Sequence, residues 1–183
     1  MVAPPKPRMT AREFFQLPET DQRLELINGE IIEMGTPIPS HQDSVLNTAL
    51  LIKQLTQTLG GKVYIAPLEV YLDEDNIPQP DVMWVAPDSR CVIGEKRLQG
   101  APDLVVEVFS PSTQQRDKDD KFKLYQRHGV REYWMLDPVQ QFVEVWQLVD
   151  GRFALNGVFI AGQTFTSAVL NDQTVEVKAL FGV

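Results

Sequence analysis

Two carboxylates stand where an apolar strand would be easier to build without them. Glu107 lies inside "LVVEVF", and Asp81 opens the strand-like part of "PQPDVMWV" after a polar loop. Burying an ionised carboxylate costs several kcal/mol unless a partner compensates it. Strand alternation puts Val105, Glu107 and Phe109 on one face, with Leu104, Val106 and Val108 on the other. Carboxylates on neighbouring strands can share one hard divalent cation through oxygen ligands. The plainer alternative makes Asp81 a strand or turn cap and Glu107 half of a buried ion pair.

The next segment adds an amine. Asp117, Lys121, Tyr125 and His128 recur at helical spacing and share a face with Leu124, while Asp119, Asp120, Lys123, Gln126 and Arg127 take the polar face. Lys121 therefore leans to the buried side and Lys123 to solvent. A lysine beside two carboxylates suits metal-assisted phosphodiester hydrolysis. The metal polarises the phosphate and lowers the pKa of a water, while the amine orients that water or offsets developing charge. The competing reading is a simple Asp117–Lys121 helix pair, worth only a few tenths of a kcal/mol.

These residues need elements to position them. "LELINGEIIEM" has strand-like residues on both sides of Asn28-Gly29, a strong hairpin signal. Ser40 is the expected N-cap of a long helix whose apolar face is Val45, Leu46, Ala49, Leu50, Ile52 and Leu55, stopped by Gly60-Gly61. "KVYIAPLEVYL", "DVMWVA" and "DLVVEVFS" read as strands, the last a central one covered on both faces. A second helix is expected from Ser112 to His128, ended by Gly129. "REYWMLD", "QFVEVWQLV" and "RFALNGVFI" follow as strands, with a turn at Asp150-Gly151, and "TVEVKALF" is a last strand or short helix. The order predicts a mixed α/β (α+β) domain over residues 10–183, preceded by a flexible arm at residues 1–9.

Composition narrows the function. A net charge of −8 argues against coating nucleic acid by bulk electrostatics, though Arg90, Lys96 and Arg97 fall in one loop and Arg116, Lys118, Lys121, Lys123 and Arg127 in one helix. The bland reading of both clusters is a solvated face of mixed charge. The lone Cys91 cannot close an intramolecular disulfide, and "MVAPPKPRMT" lacks the apolar core of a signal peptide. No apolar run approaches the roughly 20 residues of a membrane span. A cytoplasmic enzyme with no membrane partner is the expectation.

Taken in order, "ELINGEIIEM", "SHQDSVLNTAL", "PQPDVMWV", "APDLVVEVFSPST", then Asp117, Lys121 and Tyr125 ahead of "GVREYWMLDP", resemble the Uma-two family of proposed endonucleases. That family belongs to the PD-(D/E)XK, restriction-endonuclease-like superfamily. The resemblance runs from about residue 10 to the C-terminus and is most specific from Pro102 to Pro138. It implies a four-stranded mixed core sheet flanked by helices, with extra β-hairpins at both ends. It also implies a Mg²⁺-dependent site, with Mn²⁺ able to substitute, acting on nucleic acid and on DNA in particular. Asp81 and Glu107 match the acidic motif positions and would hold the metal. The superfamily's usual lysine would stand two residues after Glu107, where this chain has Phe109. Lys121 on the following helix is the expected replacement. Glu30 and His41 also match characteristic positions, as a further acid and as a phosphate contact or general base, while a surface histidine at a helix start is the plain reading of His41. Ser110, Ser112 and Thr113 read as helix caps, and Tyr133 and Trp134 as core.

Two functions of other classes compete with the nuclease. One is a non-catalytic nucleic-acid-binding or protein-interaction module on a nuclease fold, since fold alone does not certify activity. The other is a structural homodimer in which Glu107 merely pairs with Lys121.

Overall fold

The computed structural model describes residues 8–18, 20–109 and 117–183. Most of the N-terminal arm, the proposed caps Ser110, Ser112 and Thr113, and the start of the second long helix lie outside the described residues.

The strands in chain order are β1 (Leu24–Ile27), β2 (Glu30–Glu33), β3 (Lys62–Ile65), β4 (Val70–Tyr71), β5 (Val82–Val85), β6 (Val92–Ile93) and β7 (Leu98–Gln99). They continue with β8 (Leu104–Val108), β9 (Glu132–Asp137), β10 (Phe142–Val149), β11 (Arg152–Ile160), β12 (Thr164–Ser167) and β13 (Gln173–Glu176). Six of them form one mixed sheet in the order β11-β10-β9-β8-β5-β3. β8 and β9 are parallel and every other pair in that sheet is antiparallel. A parallel pair needs a crossover, and the helical segment Asp117–His128 lies on that connection. The four strands β3, β5, β8 and β9 are the expected mixed core. The expected extra C-terminal hairpin, β10–β11, pairs onto β9 and extends that core to a six-stranded sheet.

Hairpins form where the sequence places its Asn-Gly and Asp-Gly turns. Asn28 and Gly29 both have positive φ, as do Asp150 and Gly151, which is the backbone a two-residue hairpin turn requires. "TVEVKALF" holds both of its expected elements, ending β13 and then forming the short helix Val177–Phe181.

The two faces of β8 divide as alternation predicts. Leu104, Val106 and Val108 join Val82, Trp84, Trp134 and Leu136 beneath the long helix and the C-terminal helix. Val105 and Phe109 join Tyr133 and Met135 on the other face, under Leu124 and Tyr125. Tyr133 and Trp134 are both fully buried.

The long helix runs Pro39–Leu55 and departs from expectation at its start and its face. Its N-cap is Ile38, with Pro39 in the first turn, rather than Ser40. Proline fits there because its fixed φ suits a helix and its missing N–H would have no partner anyway. The buried stripe is His41, Ser44, Val45, Thr48 and Ile52, while Leu46 and Leu50 are 55% and 57% exposed. Two of the six expected apolar positions thus point outward, and three of the five residues on the true inner face, His41, Ser44 and Thr48, are polar. The expected strand "KVYIAPLEVYL" divides into β3 in the large sheet and β4 in the small sheet β4-β7-β6, while the Thr10 capping box on the short helix Ala11–Phe14 and strands β6, β7 and β12 were not expected.

Candidate active site

Glu107 meets its partners on the second face of the sheet. Lys121 Nζ lies 3.0 Å from Glu107 Oε1, and the Tyr125 hydroxyl donates to the same oxygen at 2.6 Å. Phe109 cannot serve as the amine. It is buried among Val105, Leu124 and Tyr133. The ammonium comes instead from the crossover, where Asp117–Lys121 forms a π turn that passes into the α-helix Phe122–His128. Such turns concentrate at functional sites. Tyr125 stands one α-turn after Lys121 and so reaches the same carboxylate. Lys121 is 1% exposed, whereas Lys123 points to solvent.

A second carboxylate holds the same ammonium. Glu25 Oε1 is 3.0 Å from Lys121 Nζ and accepts the Gln79 backbone N–H at 2.7 Å. It arrives there because β1 lies against the loop before β5, where Leu26 and Ile77 exchange backbone hydrogen bonds of 3.2 and 2.7 Å. Glu25 is fully buried, and its Oε2 has no hydrogen-bond partner among the described residues. Burial above all, then the charges of Glu107 and Glu25, hold the Tyr125 hydroxyl well above its ordinary pKa, so it stays a donor.

Asp81 sits at the head of β5. Val82 faces Val106 across the ladder, so Asp81 comes level with Glu107 on the adjoining strand. Its Oδ2 accepts the Val108 N–H at 2.8 Å and lies 3.3 Å from His41 Nε2. His41 is buried rather than a surface residue, and its Nδ1 has no partner among the described residues. The long helix thus brings an imidazole to the acid that β5 presents. Glu30 lies at the surface of the same hairpin as Glu25. It is exposed on β2, opposite Ile27, and the acid that this hairpin sends inward is Glu25 of the facing strand.

The missed residue had a signal. Glu25 lies between Leu24 and Leu26 just before Asn28-Gly29, but "LELI" alternates as a half-exposed strand would. Its burial depends on a loop 50 positions away. Cys91 is not part of this chemistry, since burial pushes its thiol up to about 11.

The donor set suits a hard cation. Asp81 and Glu107 offer carboxylate oxygens from adjacent strands, the ligand type Mg²⁺ takes. Among the described residues no group of three or more His, Cys, Asp or Glu forms a metal cage.

Comparison with known proteins bears on the family and the fold. The model of the Uma2 family, described as "Putative restriction endonuclease", matches residues 11–178. An uncharacterized protein of Synechocystis sp. (strain PCC 6803) is 26% identical over 147 residues, covering 79% of this chain and 83% of that protein. A second from the same organism is 30% identical over 138 residues, covering 72% of this chain and 70% of its own. The crystal structure of "a putative nuclease belonging to DUF820" from Anabaena variabilis superposes with a TM-score of 0.76 at 22% identity. That match covers 95% of this chain and 98% of the other, so the two share a fold. No helix among the described residues is long and apolar enough to cross a membrane.

Proposed function

The chain belongs to the Uma2 family, and from that premise we propose that it is a Mg²⁺-dependent endonuclease that hydrolyses phosphodiester bonds in DNA. The observation that carries this reading is the 3.0 Å approach of Lys121 Nζ to Glu107 Oε1 from the neighbouring helix, which supplies the amine that Phe109 does not. Asp81 and Glu107 would hold the ion. When bound, Mg²⁺ or Mn²⁺ polarises the phosphate and makes a water acidic enough to attack. Lys121 holds positive charge beside the reacting phosphate and offsets the negative charge that grows on it. Tyr125 and Glu25 fix where that ammonium and the Glu107 carboxylate point. His41, buried against Asp81, stands where it can contact the phosphate or move a proton.

A second reading follows from Phe109, which is buried where the superfamily's usual lysine would stand. It makes the chain a nucleic-acid-binding module in which Lys121 is only a staple. A cleavage assay on single-stranded, double-stranded and branched DNA, with Mg²⁺, Mn²⁺ or chelator, separates the two. We expect metal-dependent cutting that disappears with chelator and in Glu107→Gln. Binding without cutting under every metal condition establishes the module, and cutting that persists in Glu107→Gln sinks the proposed site.

A further inference from the structure

We propose that the cleft between the N-terminal helix and the loop before β5 is a subsite for one nucleobase of the substrate strand. The base's origin in a strand being cut rests on the nuclease reading above; the recognition of the base itself does not.

The cleft encloses about 360 Å³, within the roughly 300–1,000 Å³ of small-molecule sites. Its walls include Phe14, Phe15, Leu24, Glu69, Gln79 and Arg97. The Arg97 guanidinium carbon lies 3.3 Å from the centre of the Phe15 ring, so the guanidinium covers one aromatic face. Glu69 Oε2 takes the Arg97 Nε–H at 3.1 Å and fixes the plane of that group. The Arg97 side chain is 26% exposed. A guanidinium fixed on a ring and open on its other side is a platform on which a base stacks, and its remaining N–H groups suit ring nitrogens and carbonyls.

Gln79 ties this platform to the buried cluster. Its backbone N–H donates to Glu25 Oε1, while its side chain lines the cleft. Its Nε2 is committed to the Leu24 carbonyl at 2.9 Å, and its Oε1 is buried without a partner among the described residues. A ligand N–H would relieve that. The cleft therefore pairs a stacking surface with both donors and acceptors, one residue from an acid that grips Lys121. A bare phosphate would use the arginine charge but neither the stacking face nor the amide.

The test is calorimetric titration of the full chain with each of the four nucleoside 5′-monophosphates, using ribose 5-phosphate as the baseless control. Arg97→Ala and Arg97→Lys are titrated alongside, and circular dichroism verifies their folding. At least one mononucleotide should bind, the control should bind at least tenfold more weakly, and both variants should lose at least tenfold in affinity. Arg97→Lys keeps the charge and removes the planar stack, so its loss separates stacking from attraction. Failure of all four mononucleotides to bind, equal binding of ribose 5-phosphate, or undiminished binding by Arg97→Lys each overturns the subsite. The measurement needs no cleavage. If mononucleotides bind as expected but no strand is cut, the subsite stands and the nuclease reading falls.

Discussion

Lys121 is gripped by carboxylates on two sides, so removing it leaves like charges facing each other in the interior. Breaking a buried ion pair by deleting one partner costs about 3–5 kcal/mol. Lys121→Ala should therefore shift the urea midpoint markedly downward and reduce cleavage by at least about 10²–10³-fold, the usual loss of a transition-state charge partner. Lys121→Met combined with Glu25→Gln should recover most of the stability and none of the cleavage. That split assigns the stability loss to charge and the activity loss to the amine. Lys123→Ala, at an exposed position, should change stability by less than about 0.5 kcal/mol and leave cutting intact. Equal losses of cleavage at both lysines would mean a diffuse charge patch. Asp81 and Glu107 were legible because apolar neighbours make a charged residue conspicuous, and Lys121 because helical spacing puts it on one face with Leu124 and Tyr125. Glu25 was not, since its burial comes from a chain segment far away in sequence, and no local pattern records it.

Among the elements, β9 is fastened to the β12–β13 hairpin by another buried acid. Glu132 accepts from the Trp134 indole N–H at 2.7 Å, the Ser167 hydroxyl at 2.6 Å and the Val169 N–H at 3.4 Å. Burial raises its pKa above the ordinary 4.5, and those donors offset the rise only in part. The sign follows. A raised folded-state pKa means that the native state holds the proton more tightly than the unfolded chain. The stability it contributes is full below about 4.5 and is lost as pH climbs through the raised value. Glu132→Gln, which cannot ionise, should remove that loss, so the variant gains on wild type between acidic and neutral pH in urea titrations. Parallel pH profiles for the two proteins would count against this account. Most strands and turns were legible, because Asn-Gly, Asp-Gly and alternating apolar residues act locally. The inner face of the long helix was not: His41, Ser44 and Thr48 are polar residues buried by tertiary packing, and helical propensity says nothing of it. The same holds for the π turn, whose extra residue shifts the helical phase ahead of Lys121.

At the scale of the whole molecule, the site exists only when the fold does. Glu25 comes from the N-terminal hairpin, Asp81 and Glu107 from adjacent strands of the sheet, and Lys121 from the crossover. In the unfolded chain these groups are far apart, so an ion that bridges Asp81 and Glu107 binds the native state alone. Mass action then adds about 2.7 kcal/mol at an ion concentration of 100 Kd. For a chain of this length, each kcal/mol moves Tm by roughly 2–4 °C, so saturating Mn²⁺ should raise Tm by about 5–10 °C. Asp81→Asn separates a ligand from a strand cap. The amide oxygen can still accept the Val108 N–H, while the charge beside His41 is gone. The metal-free variant should therefore melt close to wild type, and Mn²⁺ should no longer raise its Tm. A cap alone would leave both proteins indifferent to metal, since the amide keeps the capping bond and no ion is held. Four melting curves, two proteins with and without Mn²⁺, decide between these outcomes, and they do so before any nucleic acid is added.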